Sequence, residues 1–127
     1  MSDPVPTELR LRTRSRVLEV SFSAAERYLL SFEYLRVHSP SAEVKGHGPG
    51  QETLVVGKEG VGIRAVEPVG QYAVRLVFDD GHDSGLYSWK YLRELGVQQA
   101  HNWQRYLERL QKLGIERRQE ADPGATA

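Results

Sequence analysis

The sequence predicts one α+β domain: an antiparallel-rich twisted sheet with a short helix after the third strand and two C-terminal helices. Two patterns predict this class. Before residue 88, several segments alternate apolar and polar residues, which is typical of strands with one buried face. After residue 88, apolar residues recur at spacings of three and four, the period of an amphipathic helix. A chain of 127 residues has room for one modest core.

The first half of the chain predicts three strands and a short helix. Alternation from residue 9 predicts two strands joined near residues 13–16, followed by a short strand at 27–30. Ser31 is a suitable N-cap for a short helix, and Pro40 prevents its continuation. Residues 42–60 contain six glycines and prolines, so we expect a long, mobile loop there.

The second half carries the strongest strand pattern, over residues 61–78. The sequence DDGH at residues 79–82 is a turn signature, and a short strand at 84–87 completes a hairpin. Ser88 can cap a helix that Gly96 ends, and the last helix begins near Asn102.

Three segments follow from these patterns. We expect residues 1–8 to form a flexible N-terminus, residues 9–114 to form the single domain, and residues 115–127 to form a disordered tail.

Charge and composition exclude several classes of protein. Basic and acidic residues number 17 each, so the chain lacks the positive field that favours nucleic acid or anionic membranes as partners. No segment has the length of a signal peptide core or a membrane span, and we expect a cytoplasmic protein. The absence of cysteine excludes disulfides, zinc–thiolate sites and cysteine-ligated iron–sulfur clusters.

Histidines are the remaining candidates for soft metal ligands. None of them forms the H-x-x-x-H pair that directs two rings at one ion. His38 and His82 both lie in predicted turns beside carboxylates, and folding could bring them together, with His47 nearby. Two histidines with carboxylates would suit iron(II), manganese or zinc. The alternative is that each histidine is exposed or hydrogen-bonded, as is usual in loops.

A hydrolytic triad can also be drawn from Ser39 or Ser41 through a histidine to Asp79 or Asp80. The G-x-S-x-G motif of a nucleophile elbow is absent from the sequence. Adjacent strand residues point to opposite faces, so Asp79 and Asp80 are more typical of a hairpin tip than of a catalytic dyad. A small hydrolase is therefore the third of three hypotheses.

Two stretches, residues 34–43 and residues 63–89, resemble a known domain, and the second contains two of the three motifs that carry the resemblance. Residues 34–43 read YLRVHSPSAE, residues 67–74 read EPVGQYAV, and residues 78–89 read FDDGHDSGLYSW. In this order they are similar to the N-terminal domain of γ-butyrobetaine hydroxylase, which also occurs as a stand-alone bacterial protein of uncharacterised function (DUF971). The resemblance covers roughly residues 9–96 and implies a stand-alone bacterial member of this family.

In the hydroxylases this domain precedes an iron- and 2-oxoglutarate-dependent catalytic domain and binds a structural zinc through three cysteines and one histidine. The resemblance places Ser39, Ser41 and Val44 at the cysteine positions and His82 at the histidine position. It therefore does not imply a zinc site here. Similar domains are also fused to iron–sulfur cluster carrier ATPases, which implies a metal-handling or adaptor role by association.

The first hypothesis is accordingly a non-catalytic binding or adaptor module for a protein partner, linked to iron or iron–sulfur metabolism. The second is a metal-binding protein that holds a divalent iron or zinc ion through His38, His82, His47 and a carboxylate. The sequence leaves the cofactor and the oligomeric state open. The residues expected to form the binding surface are Tyr34, Arg36, Ser39, Ser41, Glu43, Asp79, Asp80 and Trp89.

Overall fold

The computed structural model describes residues 4–45 and 53–118, and in this part of the chain the strands form two antiparallel sheets of three strands each. The predicted α+β class is confirmed, with its strands divided between two sheets. The first sheet contains, in order, β1 (Glu8–Arg12), β2 (Val17–Ser21) and β3 (Arg27–Ser31). The second contains, in order, β4 (Ile63–Val69), β5 (Ala73–Phe78) and β6 (Leu86–Ser88). The helices are α1 (Phe32–Val37), α2 (Ala42–Lys45), α3 (Trp89–Val97) and α4 (Gln99–Lys112).

Two serine caps fix where the strands give way to helices, as the sequence predicts. Ser31 ends β3, and its Oγ accepts a hydrogen bond of 3.0 Å from the amide of Tyr34. Ser88 ends β6, and its Oγ accepts one of 3.0 Å from the amide of Tyr91. Each side chain satisfies an amide that has no partner within the first helical turn.

The C-terminal helices differ from the prediction at their junction. α3 continues past Gly96, which is needed for close packing and not for a helix stop. A Cβ atom on Gly96 would lie 2.4 Å from the ring of Tyr28, so only glycine allows β3 to approach the helix. α4 begins at Gln99, before the predicted start at Asn102.

The predicted loop over residues 42–60 is wrong at its beginning, because α2 occupies Ala42–Lys45. Ser41 starts this single turn, since its Oγ accepts a hydrogen bond of 3.2 Å from the amide of Glu43. One turn of helix is too short to produce a recognisable period in the sequence. The glycine-rich residues 46–52 lie outside the described residues.

The main core joins the two sheets through α1 and α3. Leu18 and Leu30 of the first sheet, Leu76 of the second, and Leu35 and Leu92 of the helices are all fully buried in this core. A smaller cluster of Val37, Tyr106 and Leu110 holds α4 against the end of α1. The main core therefore fixes the position of α1 relative to the turn between β5 and β6.

The chain after α4 packs against the rest of the domain. The amide of Ile115 donates a hydrogen bond of 2.9 Å to the carbonyl of Leu110, and Ile115 packs against the smaller cluster. The guanidinium of Arg117 pairs with the buried carboxylate of Glu33. The first residues of the predicted tail thus have defined contacts, while residues 119–127 lie outside the described residues. In the described ranges, no helix is long and apolar enough to cross a membrane.

Candidate functional site

The two stretches singled out in the sequence meet at the end of the second sheet. The hydroxyl of Tyr87 on β6 donates a hydrogen bond of 2.6 Å to the carbonyl of Leu35, which holds α1 against β6. The chain that follows α1 therefore lies beside the β5–β6 turn. The closest pairs across this junction are Arg36 with Asp80, Ser39 with His82, Glu43 with His82, and Ser41 with Ser84.

His82 is the centre of the junction. Its Nε2 lies 2.8 Å from Ser39 Oγ, and its Nδ1 lies 3.1 Å from Glu43 Oε2. An ionised carboxylate can only accept, so Nδ1 carries the proton and donates to Glu43. The neutral ring then accepts at Nε2 from the Ser39 hydroxyl, while Ser39 Oγ accepts from the amide of Ser41 at 3.2 Å. Both nitrogens of the imidazole and the hydroxyl of Ser39 therefore have partners.

This serine, histidine and glutamate have the order of a hydrolytic triad, but the serine is enclosed. Ser39 is 0% exposed, and His82 is 6% exposed. Gly85 covers the hydroxyl so closely that a Cβ atom on it would lie 2.5 Å from Ser39 Oγ. The carboxylate is that of Glu43, whereas the sequence suggested Asp79 or Asp80. The arrangement can therefore fix the junction, but a substrate cannot reach the hydroxyl without local opening.

Asp80 forms a second network on the outer side of His82. Its Oδ2 pairs with Arg36 Nε at 2.9 Å and with Lys58 Nζ at 2.6 Å, and its Oδ1 accepts from the amide of His82 at 3.1 Å. Burial opposes ionisation of this carboxyl. The hydrogen bonds from Lys58, the His82 amide and Arg36 outweigh that effect and lower the pKa of Asp80 to about 2.

The same surroundings keep His82 neutral. Burial lowers the pKa of His82 below its ordinary value of 6.5, and the positive charge of Arg36 acts in the same direction. The carboxylates of Glu43 and Asp80 oppose this shift without cancelling it. A neutral imidazole is the form that can accept from Ser39 while donating to Glu43.

His38 has different partners from His82. Its Nδ1 lies 3.0 Å from the carbonyl of Tyr34, and its ring packs 4.7 Å from the Tyr34 ring and 6.4 Å from the Tyr106 ring, centroid to centroid. Its own carbonyl accepts a hydrogen bond of 2.5 Å from the Tyr91 hydroxyl. Burial lowers the pKa of His38. His38 thus lies on the α4 side of the junction.

The other residues predicted for the binding surface differ in their exposure to solvent. Tyr34 is 1% exposed, and its hydroxyl donates to the carbonyl of Leu95 at 2.7 Å, so it belongs to the core. Ser41 is also buried. Asp79 is exposed, and its Oδ1 accepts from the amide of Gly62 at 2.9 Å.

Trp89 is not beside the other predicted surface residues. It follows Ser88, which pairs with Ala73 at the beginning of β5, whereas Asp79 follows the end of that strand. About 3.3 Å per residue over β5 separates the two ends by roughly 17 Å. His47 lies outside the described residues.

Sequence reasoning missed Lys58 and Ser84 as members of the junction. Lys58 comes from a segment without periodicity, and Ser84 from the turn after His82. The sequence offered one weak indication for Ser84. It lies two residues after His82, which the resemblance places at the position of the family's ligand histidine.

The donors at the junction do not fit a zinc–thiolate centre. The positions that the resemblance equates with the cysteines of the hydroxylases hold two serine hydroxyls and the apolar Val44, and the His82 imidazole has both nitrogens in hydrogen bonds. In the described ranges, no group of three or more histidine, aspartate or glutamate side chains is arranged to hold a metal ion.

Comparisons with known proteins cover both segments that form this junction. A family model described as γ-butyrobetaine hydroxylase-like, N-terminal, matches residues 9–93. Two proteins with solution structures determined by NMR are 45% and 52% identical to the chain, with TM-scores of 0.78 and 0.77. The first alignment covers 92% of each chain, and the second covers 91% of this chain and 86% of the relative.

A crystal structure of a protein of unknown function from Acidithiobacillus ferrooxidans, a member of the DUF971 family, is 43% identical with a TM-score of 0.62. That alignment covers 75% of this chain and 98% of the other. No curated protein matches the chain significantly. The family match extends over more than half of the sequence and includes both stretches of the junction. The chain therefore belongs to the γ-butyrobetaine hydroxylase-like N-terminal domain family.

Proposed function

We propose that the protein is a non-catalytic binding module that recognises a protein partner through the loop–turn face, defined as Arg36, Glu43, Asp79 and Asp80. One observation carries this proposal. Three carboxylates at the junction are held in fixed directions by donors from within the fold, while their side chains still reach solvent.

Different groups hold each of the three carboxylates, but each carboxylate keeps a fixed direction and reaches solvent. Glu43 is bonded to buried His82, yet its side chain is 71% exposed. Asp79 is exposed and bonded to the amide of Gly62. Asp80 is held by Arg36 and by Lys58, with 20% of its side chain exposed. Groups that are already ordered lose less conformational entropy on binding, and charged groups at an interface give it orientation and specificity.

The burial of Ser39 supports the non-catalytic part of the proposal. Nucleophilic catalysis requires a hydroxyl that contacts the substrate and donors that stabilise the developing oxyanion. Ser39 is fully buried beneath Gly85, and its Oγ already accepts the Ser41 amide. In our proposal the Ser39–His82–Glu43 chain is a support that holds Glu43 in place.

Partners in iron or iron–sulfur metabolism are the first candidates to examine. The reason is the resemblance to domains fused to iron–sulfur cluster carriers, which is an association and not a geometric argument.

Site-specific photo-crosslinking in cells tests the proposal. A photoreactive residue replaces Asp83, an exposed neighbour of His82, and in a control it replaces exposed Glu108 on α4. We expect a protein to crosslink from position 83 and not from position 108. Untagged wild-type protein should prevent this crosslink, and the Glu108→Arg variant should do so equally well.

The Glu43→Arg variant provides the decisive competitor. It should fail to prevent the crosslink, because it removes an anchored carboxylate of the loop–turn face. If Glu43→Arg competes as well as wild type, or if both positions give the same crosslinked proteins, the loop–turn face is not the binding surface. Absence of any specific crosslink from position 83 would also contradict the proposal.

A further inference from the structure

A cleft of about 420 Å³ is lined by His38 and by residues of α1, α2 and α4. The ends of α1 and α2 form one wall, with Val37 and Lys45, and α4 forms the other, with Arg105 and Arg109. This volume is within the range of small-molecule sites in proteins, which is about 300–1,000 Å³. None of the residues of the loop–turn face lines the cleft.

The cleft is positively charged. Lys45, Arg105 and Arg109 line it, and the described lining contains no aspartate or glutamate. Across residues 4–45 and 53–118, no carboxylate forms an ion pair with any of these three side chains. Lys45 Nζ lies 4.4 Å from the centroid of the Tyr91 ring. The formal charge of the whole chain is zero, so the positive charge is a local property of this cleft.

The two arginines are placed to act on the same group. They are four residues apart on α4, so they lie on one face of the helix, with the side chain of Tyr106 beside them in the lining. Guanidinium groups bind carboxylate and phosphate oxygens with paired, charge-assisted hydrogen bonds. Asn102, one turn earlier and also in the lining, adds an uncharged amide.

Apart from His38, Ser39 and Thr53, the rest of the lining is aliphatic or aromatic. Val37, Val44, Leu54 and Val55 contribute aliphatic surface, and Tyr106 contributes an aromatic ring. An inorganic ion alone would leave this surface without contacts. A neutral apolar molecule would leave the arginines without a counter-charge.

We propose that the cleft binds a small organic anion, whose carboxylate or phosphate group pairs with Arg105 and Arg109 and whose apolar body lies against Val37 and Leu54. This site is independent of the proposed protein-binding function and uses different side chains. His38 does not pair with the anionic group, because its Nδ1 donates to the Tyr34 carbonyl and Nε2 of the neutral ring can only accept. It can contact only a hydrogen-bond donor on the ligand.

Titrations of the full chain monitored by ¹H–¹⁵N correlation spectra test this site. The probes are benzoate, phenyl phosphate and the neutral analogue benzyl alcohol. We expect benzoate or phenyl phosphate to shift the amide signals of the cleft, with the signals of the loop–turn face unchanged. The stronger of the two identifies the anionic group that the site prefers. Benzyl alcohol should bind more weakly than either.

Two double variants separate the arginines from a general charge effect. Arg105→Gln/Arg109→Gln should weaken binding of the preferred anion by about tenfold or more, since charge-assisted bonds are lost. Arg14→Gln/Arg64→Gln removes the same charge from exposed positions outside the cleft and should leave the affinity unchanged. Equal binding of benzyl alcohol, an unchanged affinity in the first variant, or no binding up to the solubility limit would each overturn the proposal.

Discussion

Ser39 and His82 are 43 positions apart in the sequence, and a hydrogen bond of 2.8 Å joins Ser39 Oγ to His82 Nε2 in the interior. This bond connects the segment after α1 to the turn after β5. Both side chains are almost completely removed from solvent. Because a buried polar group costs free energy unless it has a partner, the two residues depend on each other.

Removing the Ser39 hydroxyl should therefore destabilise the protein. We expect Ser39→Ala to lower the free energy of unfolding by about 1–3 kcal/mol, since His82 Nε2 and the amide of Ser41 both lose a buried partner. Urea unfolding measures this change. Ser84→Ala is the control, because Ser84 is exposed and, within residues 4–45 and 53–118, its hydroxyl bonds only to Ser41 Oγ. Equal effects of the two variants would contradict the importance assigned to burial.

Asp80 should stabilise the fold through its ionised form. With a pKa of about 2 in the fold against an ordinary value of 3.8, its stabilisation is present above pH 3.8 and is lost as the pH falls through 2. Asp80→Asn should thus lower the free energy of unfolding by about 2 kcal/mol at pH 7. The difference between variant and wild type should shrink as the pH approaches 2.

The control for Asp80 is Glu67→Gln, which breaks the ion pair with Arg75 in a solvated part of the second sheet. Exposed ion pairs contribute little to stability, so this variant should change the unfolding free energy much less. If the two variants cost the same at pH 7, or if the cost of Asp80→Asn does not depend on pH, the network around Asp80 has been misassigned.

Buried His82 and partly buried His38 should make the fold sensitive to mild acid. The pKa values of His38 and His82 are lowered below 6.5 chiefly by burial. Below pH 6.5 the unfolded chain therefore binds more protons than the folded one. The contribution of these two histidines to the free energy of unfolding should be constant above about pH 6.5 and should fall as the pH decreases towards the lowered pKa values.

His38→Gln should reduce this pH dependence. The groups that act on His38 are Tyr34 on α1, with its carbonyl, and Arg105 and Arg109 on α4. Lys45 of α2 lines the same cleft. Chemical unfolding at several pH values gives the slopes. A wild-type slope of zero between pH 5 and 6.5 would contradict the lowered pKa values.

Restoring thiolates at the junction should create a zinc site. The variant Ser39→Cys/Ser41→Cys/Val44→Cys places cysteines at the positions implied by the family resemblance, beside His82. We expect stoichiometric zinc binding by elemental analysis, and thiolate-to-cobalt absorption bands after cobalt substitution. Adding His82→Ala to the triple variant should weaken binding. If the triple variant binds no more zinc than wild type, these positions do not converge as a ligand set.

Local sequence patterns predicted the elements well where short-range chemistry decides them. Ser31 and Ser88 begin helices because a serine hydroxyl can bond an amide three residues later, whatever the rest of the chain does. The alternation over β4 and β5 was visible because one face of each strand is buried. The family resemblance likewise depended on ordered motifs within the chain.

Local sequence patterns did not predict the contacts between residues that are far apart in the chain. The sequence offered several histidines and carboxylates as partners, and only the packing of α1 against β6 selected Glu43 for His82 over Asp79. The role of Gly96 was misjudged for a related reason. Its neighbour is Tyr28 on a distant strand, which no local pattern reports.

The sequence by itself therefore determined the fold class, the starts of α1 and α3, and the family, because these depend on spacing, caps and motif order. The tertiary structure decided that Ser39 is buried, that Glu43 is exposed yet anchored, and that Arg105 and Arg109 line a cleft with Lys45. Burial and charge proximity arise from how distant segments pack. Since a side chain's accessibility and electrostatic surroundings set its chemistry, the choice between catalysis and recognition rests on that packing.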